Sequence, residues 1–254
     1  MQFVKEESIV RRIWGSSDTI LVIFAGSAAE FALNKAVDWL YYTGRLPSDP
    51  IGRLFSTVEY ARLIVFSSQE KAEAAIKRIS SIHTSVENSR GFKIPDWAYR
   101  DVLFMLIGYS ISAFELLHRK LSVAEKEEVF SVFYRVGIGM ELRGLPNNYD
   151  EFCKMREEHM KNDLAHSSFT DDLFLQYRKH LGDFRYRILR GTQAMLVPPR
   201  VKELTGLKDP LLMRFLLSCY KVGRVVGLDN VAKELLLPSQ YKKRIKSLDV
   251  YAQK

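Results

Sequence analysis

The chain has 254 residues, a formal net charge of +8, 47% hydrophobic and 27% charged residues, eight prolines, 14 glycines and two cysteines. Such a length can bury a sizeable core, and the balance is that of a soluble globular protein, which excludes a disordered chain. The positive charge invites a nucleic-acid partner. Lys and Arg are dispersed, however, densest at Arg178 to Arg190 and Lys242-Lys243-Arg244, and no nucleic-acid-binding motif accompanies them.

Apolar residues keep a period near 3.6 from end to end, so the chain reads as an all-α single domain of about ten helices over residues 1–254. A first helix is expected from near Phe3 to just before Gly15, and a second from Asp18 to about Tyr42. Ile20 to Leu33 is the most apolar stretch. Glu30 interrupts it, and it falls short of the ~20 residues a membrane span needs, so it reads as a buried helix. The opening Met1-Gln2-Phe3-Val4-Lys5-Glu6-Glu7 shows no signal peptide, and a cytoplasmic location is expected.

Gly44 to Ser48 reads as a loop, followed by helices Asp49–Phe66 and Gln69–Asn88 around a Ser67-Ser68 turn. Asp49 suits the N-cap, Pro50 the first helical position, and Ser68 can cap the second helix. Arg53, Thr57, Tyr60 and Ile64 share one face of the first helix; Ile76, Ile79, His83 and Val86 share one face of the second. Arg53 lies 14 residues before Ser67 and His83 lies 15 after Ser68. Folded back antiparallel, the two helices would set these side chains at nearly one height on opposing walls. An imidazole facing an Arg and a hydroxyl across an apolar gap could hold a flat iron cofactor. Each residue also has a plainer reading. His83 could be a core histidine, Arg53 could pair with Asp49, and Thr57 could bond back to the carbonyl of residue 53.

Beyond Ser89-Arg-Gly-Phe-Lys-Ile-Pro95, a helix is expected from Asp96 to Arg119. Ser122-Val-Ala-Glu125 is a capping box opening a helix from Val123 to Met140. Tyr149–Asn162 and Thr170–His180 follow, then Gly182, Asp183–Leu196, and helices near Pro210–Val226 and Pro238–Ser247. The segment Leu207 to Val226 mixes apolar residues with cations. It suits an interfacial helix in peripheral contact with a membrane, or, more commonly, a core helix whose Arg and Lys snorkel at the edge.

Phe24-Ala-Gly-Ser-Ala-Ala-Glu-Phe-Ala-Leu33, Asp49-Pro-Ile-Gly-Arg-Leu-Phe-Ser-Thr57 and Ile82-His83 resemble the mpaB-type and rubber-oxygenase (latex-clearing protein) catalytic domain. So do Tyr99-Arg-Asp-Val-Leu103, Leu121-Ser-Val-Ala-Glu125 and Val197-Pro-Pro-Arg-Val201, and the likeness runs over about residues 10–245. The resemblance implies an all-helical protein with a core likened to the globin fold, carrying haem b. It implies an oxygenase that uses dioxygen on an apolar substrate, an unsaturated one included. His83 matches the proximal iron ligand of the rubber oxygenases. Arg53 and Thr57 match the ends of their distal Arg-x-x-Lys-Thr pattern, where Arg53 would hold dioxygen or a haem propionate. Ser56 stands where that pattern has Lys. Ser is too short to reach iron, which implies an open or water-filled sixth position and puts rubber in doubt as the substrate.

Other chemistry finds little support. Glu115-x-x-His118 is half of a di-iron signature. Glu158-His159 followed by His166 lacks metalloprotease spacing. Cys153 and Cys219 lie far apart, and a reduced pair is expected. Two functions fit: a haem-dependent oxygenase, and a non-catalytic helical binding protein whose cavity holds an apolar ligand or lipid.

Overall fold

The computed structural model describes residues 1–208, 210–225, 245 and 247–249. Among them the structure is all-helical, with twelve helical segments and no strand, only the isolated bridges Gln2↔Ser68 and Asn34↔Leu164. In chain order these are α1 (Ile9–Trp14), α2 (Ser17–Phe31), α3 (Asp38–Tyr42), α4 (Arg45–Ser48), α5 (Pro50–Phe66) and α6 (Gln69–Arg90). Then come α7 (Asp96–Leu117), α8 (Val123–Gly139), α9 (Tyr149–Asn162), α10 (Ser168–Leu196), α11 (Pro199–Thr205) and α12 (Leu211–Val225).

The most apolar stretch is the hub. Nearly every residue of α2 from Ser17 to Glu30 is buried, and its main partner is α7, with α10 and α1 on other sides. Close approach of α2 to α7 depends on Gly26. A Cβ there would run into the Tyr109 ring and come within 2.7 Å of Leu196 Cδ2. Trp14 closes one end of this core, fully buried, its indole N–H donating to Ser110 Oγ at 3.1 Å. One cluster of buried residues runs through all these elements, from Phe3 to Leu248.

Several helix ends follow local chemistry. The Asp49 carboxylate caps α5 by accepting from Gly52 N at 2.8 Å, and a Cβ at residue 52 would collide with that carboxylate. The Ser122/Glu125 capping box is formed. Gly182 (φ 74°, ψ 162°) breaks α10 where two helices were expected, and Gly91 (φ 77°) ends α6 in the left-handed conformation.

Other expectations need correction. The first helix starts at Ile9, because Phe3 N is drawn to Ser67 O at 3.1 Å. The expected Asp18–Tyr42 helix ends at Phe31. Asn34 Oδ1 accepts from Ala36 N at 2.7 Å, and Lys35 N donates to Asp163 O at 3.0 Å, so the backbone leaves the helix to meet α9. Residues 45–48 form a helical turn instead of a loop. Ser68 occupies the N-cap of α6 without a side-chain hydrogen bond, and α11 was not foreseen. The α12 helix is no buried core element among the described residues, since Leu211, Leu212, Phe215, Leu216 and Val222 are exposed. The helix expected near Pro238–Ser247 lies largely outside the described residues.

Candidate functional site

The α5 and α6 helices pack against each other; Arg53, Ser56 and Thr57 lie on α5, and His83 lies on α6 against Tyr99 of α7. Arg53 Nη1 donates to Thr57 Oγ1 at 3.2 Å, one turn along α5. Thr57 is therefore engaged by the Arg53 side chain, and it is Ser56 that bonds back to its own helix, donating to Gly52 O at 3.2 Å. All three residues are half-buried. His83 packs its ring 5.1 Å from that of Tyr99 on α7, whose hydroxyl donates to Glu87 Oε1 at 3.0 Å. Glu87 also accepts from Ile94 N at 2.9 Å, which ties the loop after α6 to this corner.

His83 Nδ1 is buried and has no hydrogen-bond partner. Its pKa is pushed down to about 4, first by burial and then by the nearby charge of Arg53, against the pull of Glu87. The ring is thus neutral at physiological pH with an unshared nitrogen turned inward.

A second constellation was not singled out from the sequence. Glu30 on α2, Asp101 on α7 and His159 on α9 are buried, and one ligand atom from each lies within 4.8 Å of the others. Arg156, one turn before His159, grips Glu30 bidentately: Nη1 to Oε1 at 3.1 Å and Nη2 to Oε2 at 2.8 Å. Tyr109 Oη donates to Glu30 Oε2 at 2.7 Å. Asp101 lies directly against His159 Nε2, Asn34 Nδ2 donates to Asp101 Oδ2, and His159 Nδ1 meets Asp163 Oδ2 at 3.0 Å. Burial pushes the Glu30 carboxyl upward against the pull of Arg156. Burial would depress His159, but the two aspartates outweigh it and its pKa is raised. The one sequence signal was Glu30, a carboxylate inside the most apolar helix. Asp101 and His159 carry no local spacing that links them to it.

Glu115 and His118 do not form a metal pair. Glu115 accepts from Lys120 at 2.8 Å and meets Lys126 at 3.2 Å, while His118 stacks on Phe114 at 4.6 Å. Cys153 and Cys219 are free and exposed, as expected.

An all-helical protein with a half-buried neutral histidine and, on the neighbouring helix, an Arg–Thr pair is the class this geometry defines. A family model described as ER-bound oxygenase mpaB/B'/Rubber oxygenase, catalytic domain, matches residues 11–226. The chain belongs to this oxygenase family. Searches of curated proteins and of solved structures each give no match. No described helix is long and apolar enough to cross a membrane.

Proposed function

We propose that the protein is a haem b-dependent oxidoreductase, an oxygenase acting on an apolar substrate with dioxygen, in which His83 is the iron ligand. The observation that carries this reading is the His83 ring itself: half-buried, held neutral, with a buried Nδ1 that has no partner. An iron ligand must be an imidazole with a lone pair to give, whereas buried polar atoms of structural residues are almost always hydrogen-bonded. The residues present therefore fit the group. A bound haem would supply the one-electron and dioxygen chemistry that side chains lack.

The chain's own residues have distinct tasks in this reading. Arg53, whose Nη1 donates to Thr57, is a permanent cation of the kind that pairs with a propionate or another oxygen ligand. Thr57 orients that guanidinium. Ser56, directed to the Gly52 carbonyl, leaves the side where rubber oxygenases carry Lys without a strong protein ligand. We also read the protein as cytoplasmic and in peripheral contact with a membrane. The free cysteines suit a reducing compartment, the family description carries the words ER-bound, and α12 carries exposed apolar residues among cations.

The absorbance spectrum of the purified protein tests the proposal. A Soret band in wild type, with haem retention weakened in His83→Ala and helical content kept, is expected. A full haem complement in His83→Ala would place the ligand elsewhere. A colourless protein that takes up no added haem would overturn the reading. It would favour a ligand-binding module, for which an open groove of about 390 Å³ along α5, lined by Phe55, Val58, Leu63 and Phe66 together with the charged Glu59 and Arg62, is available.

A further inference from the structure

We propose that Glu30, Asp101 and His159 form a second metal site, separate from any haem, that takes one divalent first-row transition ion such as Zn(II), Mn(II) or Fe(II). Three helices each contribute one donor, and the donor atoms lie within 4.8 Å of one another. Two ligands on opposite sides of one ion, each about 2.0–2.4 Å from it, span no more than that. One imidazole with two carboxylates is a mixed nitrogen and oxygen set of the kind these ions accept.

Two further observations favour a cation at this centre. Asp101 Oδ1 and His159 Nε2 abut each other as a buried ion pair, and neither atom has any other hydrogen-bond partner. Both residues are buried, at 1% and 6% exposure. Atoms in such direct contact share a proton when no ion is bound, and a divalent cation would displace that proton and draw both atoms onto itself. Moreover, the atoms not offered to the centre are held from behind. Asp163 accepts from His159 Nδ1, which selects the tautomer with a lone pair on Nε2. Asn34 donates to Asp101 Oδ2 and is itself oriented by Ala36 N. This is the supporting arrangement that metal-bound histidines and carboxylates typically have.

Glu30 can take part without releasing Arg156. A carboxylate offers about four acceptor positions; Arg156 uses one on each oxygen and Tyr109 a second on Oε2, which leaves Oε1 with one. Charge favours the ion as well. Glu30, Asp101 and Asp163 carry three negative charges against the single positive charge of Arg156, so with a neutral imidazole a divalent cation brings the network to zero. A small cavity of about 130 Å³, bounded by Asp101, His159, Trp97, Arg100 and Met155, adjoins the centre and gives an ion a route in and an open coordination position for water or a small anion.

The test uses full-length protein, with whatever haem it carries, stripped of loose metal by a chelator and then titrated with Zn(II) alone. Binding of about one equivalent, with a rise in melting temperature, is expected. Zn(II) should shift the ¹⁵N resonance of His159 Nε2 and leave that of Nδ1 nearly unmoved. His159→Gln and Asp101→Asn, where folded by circular dichroism, should lose the equivalent, and His83→Ala should keep it. Wild type that binds no stoichiometric Zn(II), or that binds it without moving His159 Nε2, overturns the proposal whether or not the variants fold. Equal binding by folded His159→Gln overturns it too. None of these outcomes depends on His83 holding haem.

Discussion

Replacing Arg156 by Met should be among the most damaging single changes in this protein. Glu30 is completely buried, and among the described residues Arg156 is its only ion-pair partner, through hydrogen bonds of 3.1 and 2.8 Å from a side chain that is itself 12% exposed. Met fills similar volume but leaves the carboxylate with Tyr109 alone. Breaking one side of a buried pair costs about 3–5 kcal/mol, because the surviving charge stays desolvated. Changing Glu30 to Gln keeps an acceptor for Tyr109 and should cost less, about 1.5–3 kcal/mol, as Arg156 retains partial access to water. The double variant Glu30→Gln/Arg156→Met removes both charges together. It should be more stable than the sum of the single losses by up to about 3 kcal/mol.

Urea unfolding of the four proteins, with a chelator present, measures this cycle. The pH dependence adds a signed check. Arg156 is the main influence holding the Glu30 pKa down against burial, so its loss raises that pKa further. A carboxyl whose folded pKa exceeds its unfolded value stabilises the fold as pH falls. The penalty of Arg156→Met should therefore shrink as pH drops through the raised value toward 4.5. A loss below about 1 kcal/mol, or strict additivity in the double variant, would refute a buried, coupled pair.

Gly26→Ala should lose about 1–3 kcal/mol by thermal unfolding, since the added methyl meets Tyr109 and Leu196; wild-type stability would mean that α2 and α7 can part freely. Glu125→Gln should cost about 1 kcal/mol after allowance for solvent at this helix end. Arg119 first, then the Ser122 backbone, holds the Glu125 pKa at about 2. Its contribution is thus complete above pH 4.5 and lost as pH falls to 2, and an acid-limb difference outside that window would argue against it. In haem-free protein, NMR should find His83 titrating near 4, and Arg53→Ala should raise that value only part of the way, because burial is the larger cause. The stability His83 contributes as a neutral ring is present above pH 6.5 and declines toward pH 4; a value of 6.5 would put the ring in water.

Much of this protein is legible in its sequence because helix formation is governed by neighbours a few residues away. The 3.6-residue period, the Asp49 cap, the Ser122/Glu125 box and the break at Gly182 are local signals, and each forms as the residues imply. The packing of α5 against α6 followed too, since one tight turn joins the two helices. Residues 32–37 were misread because the pull on Asn34 and Lys35 comes from Asp101 and Asp163, far along the chain. The exposed apolar face of α12 was likewise a matter of what packs against it rather than of its own pattern. The Glu30–Asp101–His159 centre was beyond sequence reading for the same reason. Its members come from three helices joined through long intervening segments, and no spacing within any one helix records that α2, α7 and α9 converge. Glu30 alone gave a hint, as a charge in an apolar run that only a partner supplied by the tertiary structure could satisfy.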